Sequence, residues 1–592
     1  MRRLLISFGI VTMTSCTGTD GAGNTNVYDT DVATAADSGT TGETSTGDDT
    51  STPDDTNTSD DTKEPGTEGA PNASEVFGYP YHQDGTPNPN FGTVCEAELP
   101  HGKPVPGVGA PANPTNCAGD PGNCGPNGCD APTVSAEGLH RVTLDTEKWP
   151  KAVCNDGSPG IIEVRPGTGV GADRWLIWFK GGGGCDTQHT CGQRWCGKGK
   201  YNITIMSNDW NGDGIIDQGF CKKPDSGSVL DPNLAGNPFA NANVVRIWYC
   251  GSDSYRGRGV VDLEDRDLDG DDHPGDFSLH FQGRHIVEAA LATLDAGVAS
   301  DNGVVTMPKL GDAKFLVISG SSAGALGAAH NMDSIAEHVA AQNPQVVVRG
   351  VLDANLPVSD TVNDTLGVYI DTAYDGMVTP GVPMAQSRQD SIIESASDGW
   401  IAQANAFHDQ SCVDAVMADE GIAGLPSCVT VTSLLLRETD GLSTPTFVRF
   451  DIGDRVIGSM YKACTNPTTG EDCYDEPNHS FLALENETPS SWLTLQDAKD
   501  HFRATAIQVF EQSSAVTGIF SPNCNTHTGF TNVNFSAQIA ADYADGTFGT
   551  PRTFMETLAA WLQSGGEPIR VIDASPSMPH EPSSKCNGGV DD

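Results

Sequence analysis

Ser322 lies in the run Phe315-Leu-Val-Ile-Ser-Gly320-Ser-Ser322-Ala-Gly324-Ala-Leu-Gly-Ala-Ala, a G-x-S-x-G pattern between an apolar stretch and an alanine-rich one. Glycines on both sides of the serine permit a sharp strand-to-helix turn that lifts the hydroxyl clear of the strand end. The N-terminus of the following helix then faces an oxyanion forming there. The chemistry such a turn serves is nucleophilic attack, and the hydroxyl needs a base to take its proton. Ser321 has the wrong glycine spacing for this part. The acid and then the base are expected after the nucleophile, in the chain order Ser…Asp/Glu…His. Among the later histidines, His330 and His338 fall on the helix after the turn and read as structural or exposed. His501 falls in an amphipathic helix, where a solvated role is expected. His527 sits in the loop Phe520-Ser-Pro-Asn-Cys524-Asn-Thr-His527-Thr-Gly after a long helix, a setting that delivers an imidazole to a site. For the acid, Phe447-Val-Arg-Phe-Asp451-Ile-Gly-Asp454 offers two carboxylates at a strand exit, where an Asp serves equally well as a turn residue.

These groups need a scaffold that brings distant residues together. The stretches 175–179, 244–249, 315–318, 346–352 and 446–450 read as buried strands. Helical spacing marks 281–294, with Ile286, Ala289, Ala290 and Leu294 on one face, the segment from Ala323, and the segments 492–510 and 554–562. Continuous apolar strands alternating with helices predict the α/β class, with a mostly parallel central sheet and helices on both faces.

Composition bounds the partners. The chain has 592 residues and is 37% hydrophobic, enough for a large core. Asp plus Glu number 79 against 33 Lys plus Arg, a net charge of −46, which excludes a general nucleic-acid binder because phosphate contacts need clustered cations. Seventeen cysteines suit an oxidising compartment. In that setting Cys191 and Cys196, near His189, read as cysteines held in disulfides, with the connectivity left open, rather than as zinc ligands. Arg2 and Arg3 precede an apolar run, Leu4 to Met13, too short to span a bilayer. It ends Met13-Thr14-Ser15-Cys16, which resembles a bacterial lipoprotein cleavage box. Residues 1–16 are therefore expected to be a signal peptide ending at a lipidated Cys16, and an even number of cysteines remains for pairing. Between Thr17 and Ala70 thirteen acids face one base, Lys63. Residues 17–75 cannot bury enough apolar surface to offset their ordering entropy and read as a disordered acidic stalk. Residues 76–139 form a Cys/Pro/Gly-rich lead-in, and 140–592 the folded catalytic domain. No later stretch reaches roughly 18 uninterrupted apolar residues, so no transmembrane helix is expected.

Over roughly 140–565 the residues resemble the pectin acetylesterase / Notum family of α/β hydrolases. Phe179-Lys-Gly-Gly-Gly-Gly184-Cys185 is similar to the family's glycine-rich strand end, Leu-Glu-Gly-Gly-Gly-Trp-Cys, with Lys180 and Gly184 in place of the usual Glu and Trp. Tyr249-Cys250-Gly-Ser-Asp253 resembles its Tyr-Cys-x-x-(Asp/Ala) element, and Phe281-Gln-Gly-Arg-His-Ile-Val-Glu-Ala its Phe-x-Gly-x-x-Ile-x-Glu-Ala helix start. The family's acid lies seven residues after a strand Phe, which is Asp454 counted from Phe447, and its base lies in Cys-x-x-His, matched by Cys524-Asn-Thr-His527. The resemblance implies an α/β-hydrolase-like fold and a triad of Ser322, Asp454 and His527. It also implies an oxyanion hole from the backbone amides of Gly183, Gly184 and Ala323, and carboxylester hydrolysis without a catalytic cofactor. The missing Trp should reshape the acyl pocket. An acidic body fits de-esterified pectin badly; a neutral acetylated glycan, another acyl ester or a highly esterified polymer suits it better.

The expected protein is a disulfide-rich, secreted, monomeric serine carboxylester hydrolase removing acetyl or other short acyl groups from a carbohydrate, touching the membrane only through a lipid at Cys16. Alternatives are a lipid or polyester hydrolase with the same triad, and a non-catalytic, calcium-stabilised surface binding protein. Calcium enters through Asp209-Trp-Asn211-Gly-Asp213-Gly214-Ile215-Ile-Asp217, which reproduces the oxygen positions of a calcium loop: side chains from Asp209, Asn211, Asp213 and Asp217, and the carbonyl of Ile215. Phe220 stands where the bidentate Glu would be. Asp265-Arg-Asp267-Leu-Asp269-Gly270-Asp271 is a weaker echo that reads as a solvated acidic loop. Chelation is expected to lower the melting temperature; an identical melting curve with and without calcium removes this site.

Overall fold

The computed structural model describes residues 138–185, 226–263, 277–357, 406–420, 427–437, 440–454, 495–544 and 546–575, with short pieces at 191, 194–195, 206–208, 221–222, 456–457 and 586. Cys16, the acidic stalk, and the acidic loops 209–217 and 265–271 lie outside the described residues.

One ten-stranded sheet organises the fold. In chain order its strands are β1 (Leu139–Thr143), β2 (Ile161–Arg165), β3 (Arg174–Phe179), β4 (Cys221–Lys222), β5 (Asn243–Ile247), β6 (Phe315–Ser321), β7 (Val347–Asp353), β8 (Thr446–Arg449), β9 (Val516–Ser521) and β10 (Ile569–Ile572). Across the sheet the order is β10-β9-β8-β7-β6-β3-β5-β2-β1-β4. The strands from β5 through β10 pair in parallel, while β2 and β1 add antiparallel pairs at one side. This is the α/β architecture the alternation of apolar runs predicts.

Side-chain alternation divides the core into two layers. Trp175, Ile177, Phe179, Leu316 and Ile318 join one buried cluster, with Ile286, Ala290 and Leu294 of α1 (Gly283–Ala296), Ala325, Ala328 and Ile335 of α2 (Ala323–Gln342), Leu434 of α4 (Val431–Leu436) and Phe502 and Val509 of α5 (Leu495–Gln512). That cluster also holds Cys412 and Val416 of α3 (Gln410–Asp419). Leu176, Trp178, Val244, Val317, Val351, Phe447 and Phe520 point into the other cluster, packed on Phe554, Leu558 and Trp561 of α6 (Phe554–Gln563). Thr553 and Glu556 close a capping box at the start of α6.

Several expected boundaries shift. The strand read as 244–249 ends at Ile247, because Tyr249 leaves the ladder to donate its hydroxyl to the Gly183 carbonyl at 2.5 Å. The helix read from 281 begins at Gly283, whose N–H donates to buried Asp253 at 2.7 Å; Phe281 instead ends a hairpin strand, Phe277–Phe281. The helix read from 492 is described from Leu495. Four disulfides are present among the described residues: Cys154–Cys250, Cys185–Cys191, Cys412–Cys428 and Cys524–Cys586. Cys191 thus pairs with Cys185, while Cys196 lies outside the described residues. None of the described helices is long and apolar enough to cross a membrane.

Trp561 is fully buried between Phe447 and the helix that carries it. Trp561→Ala is expected to cost about 3–5 kcal/mol of unfolding free energy, read by denaturant titration, because it removes a fully buried indole from the core.

Candidate active site

Five chain segments meet at the carboxyl edge of the parallel strands: the turns after β3, β6, β7, β8 and β9. Open parallel sheets present their ligand crevice at this edge. The turn after β6 is the tightest. A methyl on Gly320 would run into the Gly324 carbonyl, and one on Gly324 would run into the Phe179 carbonyl. With both glycines in place, α2 starts directly above the end of β3. Ser322, between them, takes φ 58° and ψ −128°, a conformation rare for a residue with a side chain. Its N–H donates to the Asp353 carbonyl at 2.8 Å, and Asn355 Nδ2 donates to its carbonyl at 3.0 Å.

His527 approaches from the loop after β9. Its Nε2 stands 2.7 Å from Ser322 Oγ, and its Nδ1 stands 2.9 Å from each oxygen of Asp454. A carboxylate only accepts, so Nδ1 carries the proton and Nε2 is left to accept from the serine hydroxyl. Asp454 follows β8 and is fully buried, and its Oδ1 also accepts from the amides of Val456 at 3.0 Å and Ile457 at 3.1 Å.

Asp451, the other carboxylate of the same strand exit, goes elsewhere. It accepts from Arg449 Nη2 at 2.5 Å, from Gln538 Nε2 at 3.0 Å and from the Thr526 hydroxyl. Burial pushes its carboxyl up to about 6, with the Arg449 guanidinium pulling the other way. Arg449 is itself fully buried and also donates to Asp353 at 3.0 Å and to the His527 carbonyl at 3.1 Å. Burial opposes its charge, but the carboxylates of Asp451 and Asp353 outweigh that and hold it above the usual range.

The glycine-rich turn after β3 lies against the serine: a Cβ on Gly181 would come within 3.0 Å of Ser322 Cβ. Two tyrosines hold that turn. Tyr249 donates to Gly183, and Tyr255 donates to the Lys180 carbonyl at 2.9 Å. Gly183 takes φ 68°, and Gly184 is exposed, with the Ser252 carbonyl 3.0 Å from where its Cβ would be. Ala323 is the first residue of α2, so its amide belongs to the set a helix start leaves without intrahelical acceptors. Lys180 lays its ammonium over the Trp248 ring, 4.5 Å from the centroid. Asp253 accepts from Tyr255, Gly257 and Gly283 amides, and burial pushes its carboxyl up to about 6.

Three other histidines of the chain after Ser322 lie apart from this pair. His330 is fully buried on α2; its Nδ1 accepts from the Asp409 amide at 3.2 Å, so its Nε2 donates to the Val429 carbonyl at 3.0 Å, and burial drives its pKa far below the usual value. His338 pairs with Asp295 at 2.8 Å. His501 is 2% exposed, so the solvated role read from its helix is corrected: it sits on the inner face of α5. Sequence reasoning passed over Asp353, Arg449, Thr526 and Gln538. The available signal was Arg449 itself, a charged residue inside an apolar strand run, which demands buried partners.

A family model described as Pectinacetylesterase matches residues 135–416, a span that includes Ser322 and ends before Asp454 and His527. The inactive palmitoleoyl-protein carboxylesterase notum1b of Danio rerio is 30% identical over 123 residues, 20% of this chain and 75% of that protein. The chain belongs to the pectinacetylesterase family. Within the family it is similar to the palmitoleoyl-protein carboxylesterase NOTUM of Drosophila melanogaster, 28% identical over 204 residues, 34% of this chain and 26% of that one. It is also similar to pectin acetylesterase 5 of Arabidopsis thaliana, 28% identical over 211 residues, 35% of this chain and 41% of that one. The chain thus spans less than half the length of these last two relatives.

Gly324→Ala is expected to cost about 1–3 kcal/mol and to displace Ser322, lowering the melting temperature of this family member. A variant with an unchanged melting curve would mean that the contact with Phe179 relaxes freely.

Proposed function

We propose that this chain is a carboxylic ester hydrolase that works through a covalent acyl-enzyme on Ser322. The observation that carries this reading is the line of contacts from Asp454 through His527 to Ser322 Oγ, at 2.9 and 2.7 Å. In the proposed cycle Ser322 Oγ attacks the acyl carbon while its proton passes to His527 Nε2. The buried Asp454 carboxylate orients the ring and stabilises the imidazolium. Amides of Gly183, Gly184 and Ala323 receive the oxyanion, each such donor typically contributing about 2.7–4 kcal/mol to the barrier. The tetrahedral adduct collapses, the ester C–O bond breaks, and the departing alkoxide takes the proton from Nε2. Water, deprotonated by the same nitrogen, then releases the acid and restores Ser322.

The substrate we favour is an acetyl or short acyl ester on a neutral carbohydrate. Family membership supports ester chemistry, and the net charge of −46 disfavours a polyanionic polymer. The relatives named for palmitoleoyl-protein and pectin esters frame the alternatives. Four disulfides fit an oxidising, extracytoplasmic location, and the proposal includes a lipid tether at Cys16 and calcium at 209–217.

With a chromogenic acetyl ester, Ser322→Ala is expected to lose turnover by about 10⁴-fold or more. Asp454→Asn should fall far below Asp451→Asn, since only the first touches the imidazole. Equal and negligible turnover by wild type and Ser322→Ala would favour a non-catalytic binding protein, and a larger loss in Asp451→Asn would transfer the acid role.

A further inference from the structure

We propose that Asp353 is a positioning residue for this reaction, a bridge that locks the nucleophile turn and the imidazole loop into one register. The proposal rests on the ester-hydrolase reading above. Asp353 ends β7, beside β6, and reaches both sides of the reacting pair. Toward the nucleophile, its carbonyl accepts the Ser322 N–H at 2.8 Å and its Oδ2 accepts the Ser321 hydroxyl at 2.8 Å. Toward the base, the same carboxylate accepts the amides of Gly529 at 3.1 Å and Phe530 at 3.0 Å, two and three residues beyond His527. Arg449 closes the circuit by donating from one nitrogen to Asp353 Oδ1 and to the His527 carbonyl. Ser322 and His527 are 205 residues apart in the chain, and this one side chain touches the immediate neighbourhood of each.

Two features separate the bridge from ordinary packing. Asp353 is fully buried, and every partner of its carboxylate is a donor, so a group with two accepting oxygens is required there. An amide of the same shape would set its NH₂ against N–H or O–H groups. Ser321, the second serine of the turn, donates to Asp353, so its hydroxyl serves the bridge. The consequence for rate follows from distance. A displacement of about 1 Å at a reacting pair costs on the order of 100-fold, and a carboxylate shared by both segments suppresses that displacement.

The test compares full-length wild type, Asp353→Asn and Ser321→Ala. The readouts are the rate of Ser322 labelling by a fluorophosphonate, kcat and KM on 4-nitrophenyl acetate, and thermal melting. Folded Asp353→Asn should label and turn over about 10–100-fold more slowly with KM nearly unchanged. Ser321→Ala, which removes only the side-chain arm to the nucleophile turn, should move the same way by less. Wild-type labelling and kcat in a folded Asp353→Asn, or a raised KM at constant kcat, would overturn the bridge. If Asp353→Asn fails to fold because Arg449 loses its buried counter-charge, Ser321→Ala decides: slowed labelling supports the bridge and wild-type labelling overturns it. If the wild type neither labels nor turns over, the hydrolase reading is what fails. The bridge is then read from amide hydrogen exchange at Gly529 and Phe530, where acceleration in Ser321→Ala supports it and unchanged exchange sinks it.

Discussion

The backbone of Gly324 lies so close to the Phe179 carbonyl that no side chain fits between them, and this approach sets the geometry of the whole site. It forces α2 to begin directly over the end of β3. Ser322 must then absorb the reversal with φ 58°, a strain that the surrounding parallel strands over-determine. Because β6 lies between β3 and β7, the same turn falls beside the glycine-rich segment on one side and Asp353 on the other. Tyr249 and Tyr255 complete the arrangement by anchoring the glycine-rich segment through its carbonyls.

The base is held by a different kind of force. The loop from Pro522 to Gly529 carries almost no apolar side chain, so hydrophobic burial cannot position it. Hydrogen bonds and covalent linkage take over. Cys524 pairs with Cys586, and Thr526, the His527 carbonyl and the Gly529 amide are each bound to the buried group formed by Asp353, Arg449, Asp451 and Gln538. Buried ions are destabilising unless nearly every donor and acceptor is matched. Where they are matched, the arrangement has few alternatives of similar energy, which gives a polar loop a unique position.

Much of the scaffold was legible in the residues. Trp175 to Phe179 and Phe315 to Ile318 are continuous apolar runs because both faces of a parallel strand are covered. The periodicity of α1 and α6 follows from burying one stripe each. The errors share a cause. Tyr249 looks like strand until its hydroxyl finds Gly183, and His501 looks solvated until α5 docks its inner face on Phe450 through Phe502. Period and propensity describe one segment at a time, and both outcomes depend on a second segment.

The sequence by itself determined the alternation of strands and helices, the strained turn at Ser322, and the short set of acids and histidines within which a proton relay is to be sought. These are local properties, carried by residue type and spacing within a few positions. The residue types alone left Asp451 and Asp454 open, and the family resemblance pointed to Asp454; the tertiary structure sets Asp454 against His527, has Ser321 donate to Asp353, and stands Arg449 between three segments. Two carboxylates three residues apart at a strand exit are chemically equivalent on paper. What distinguishes them is which loop, tens to hundreds of residues away, arrives beside each, and that is settled by the order of strands in the sheet.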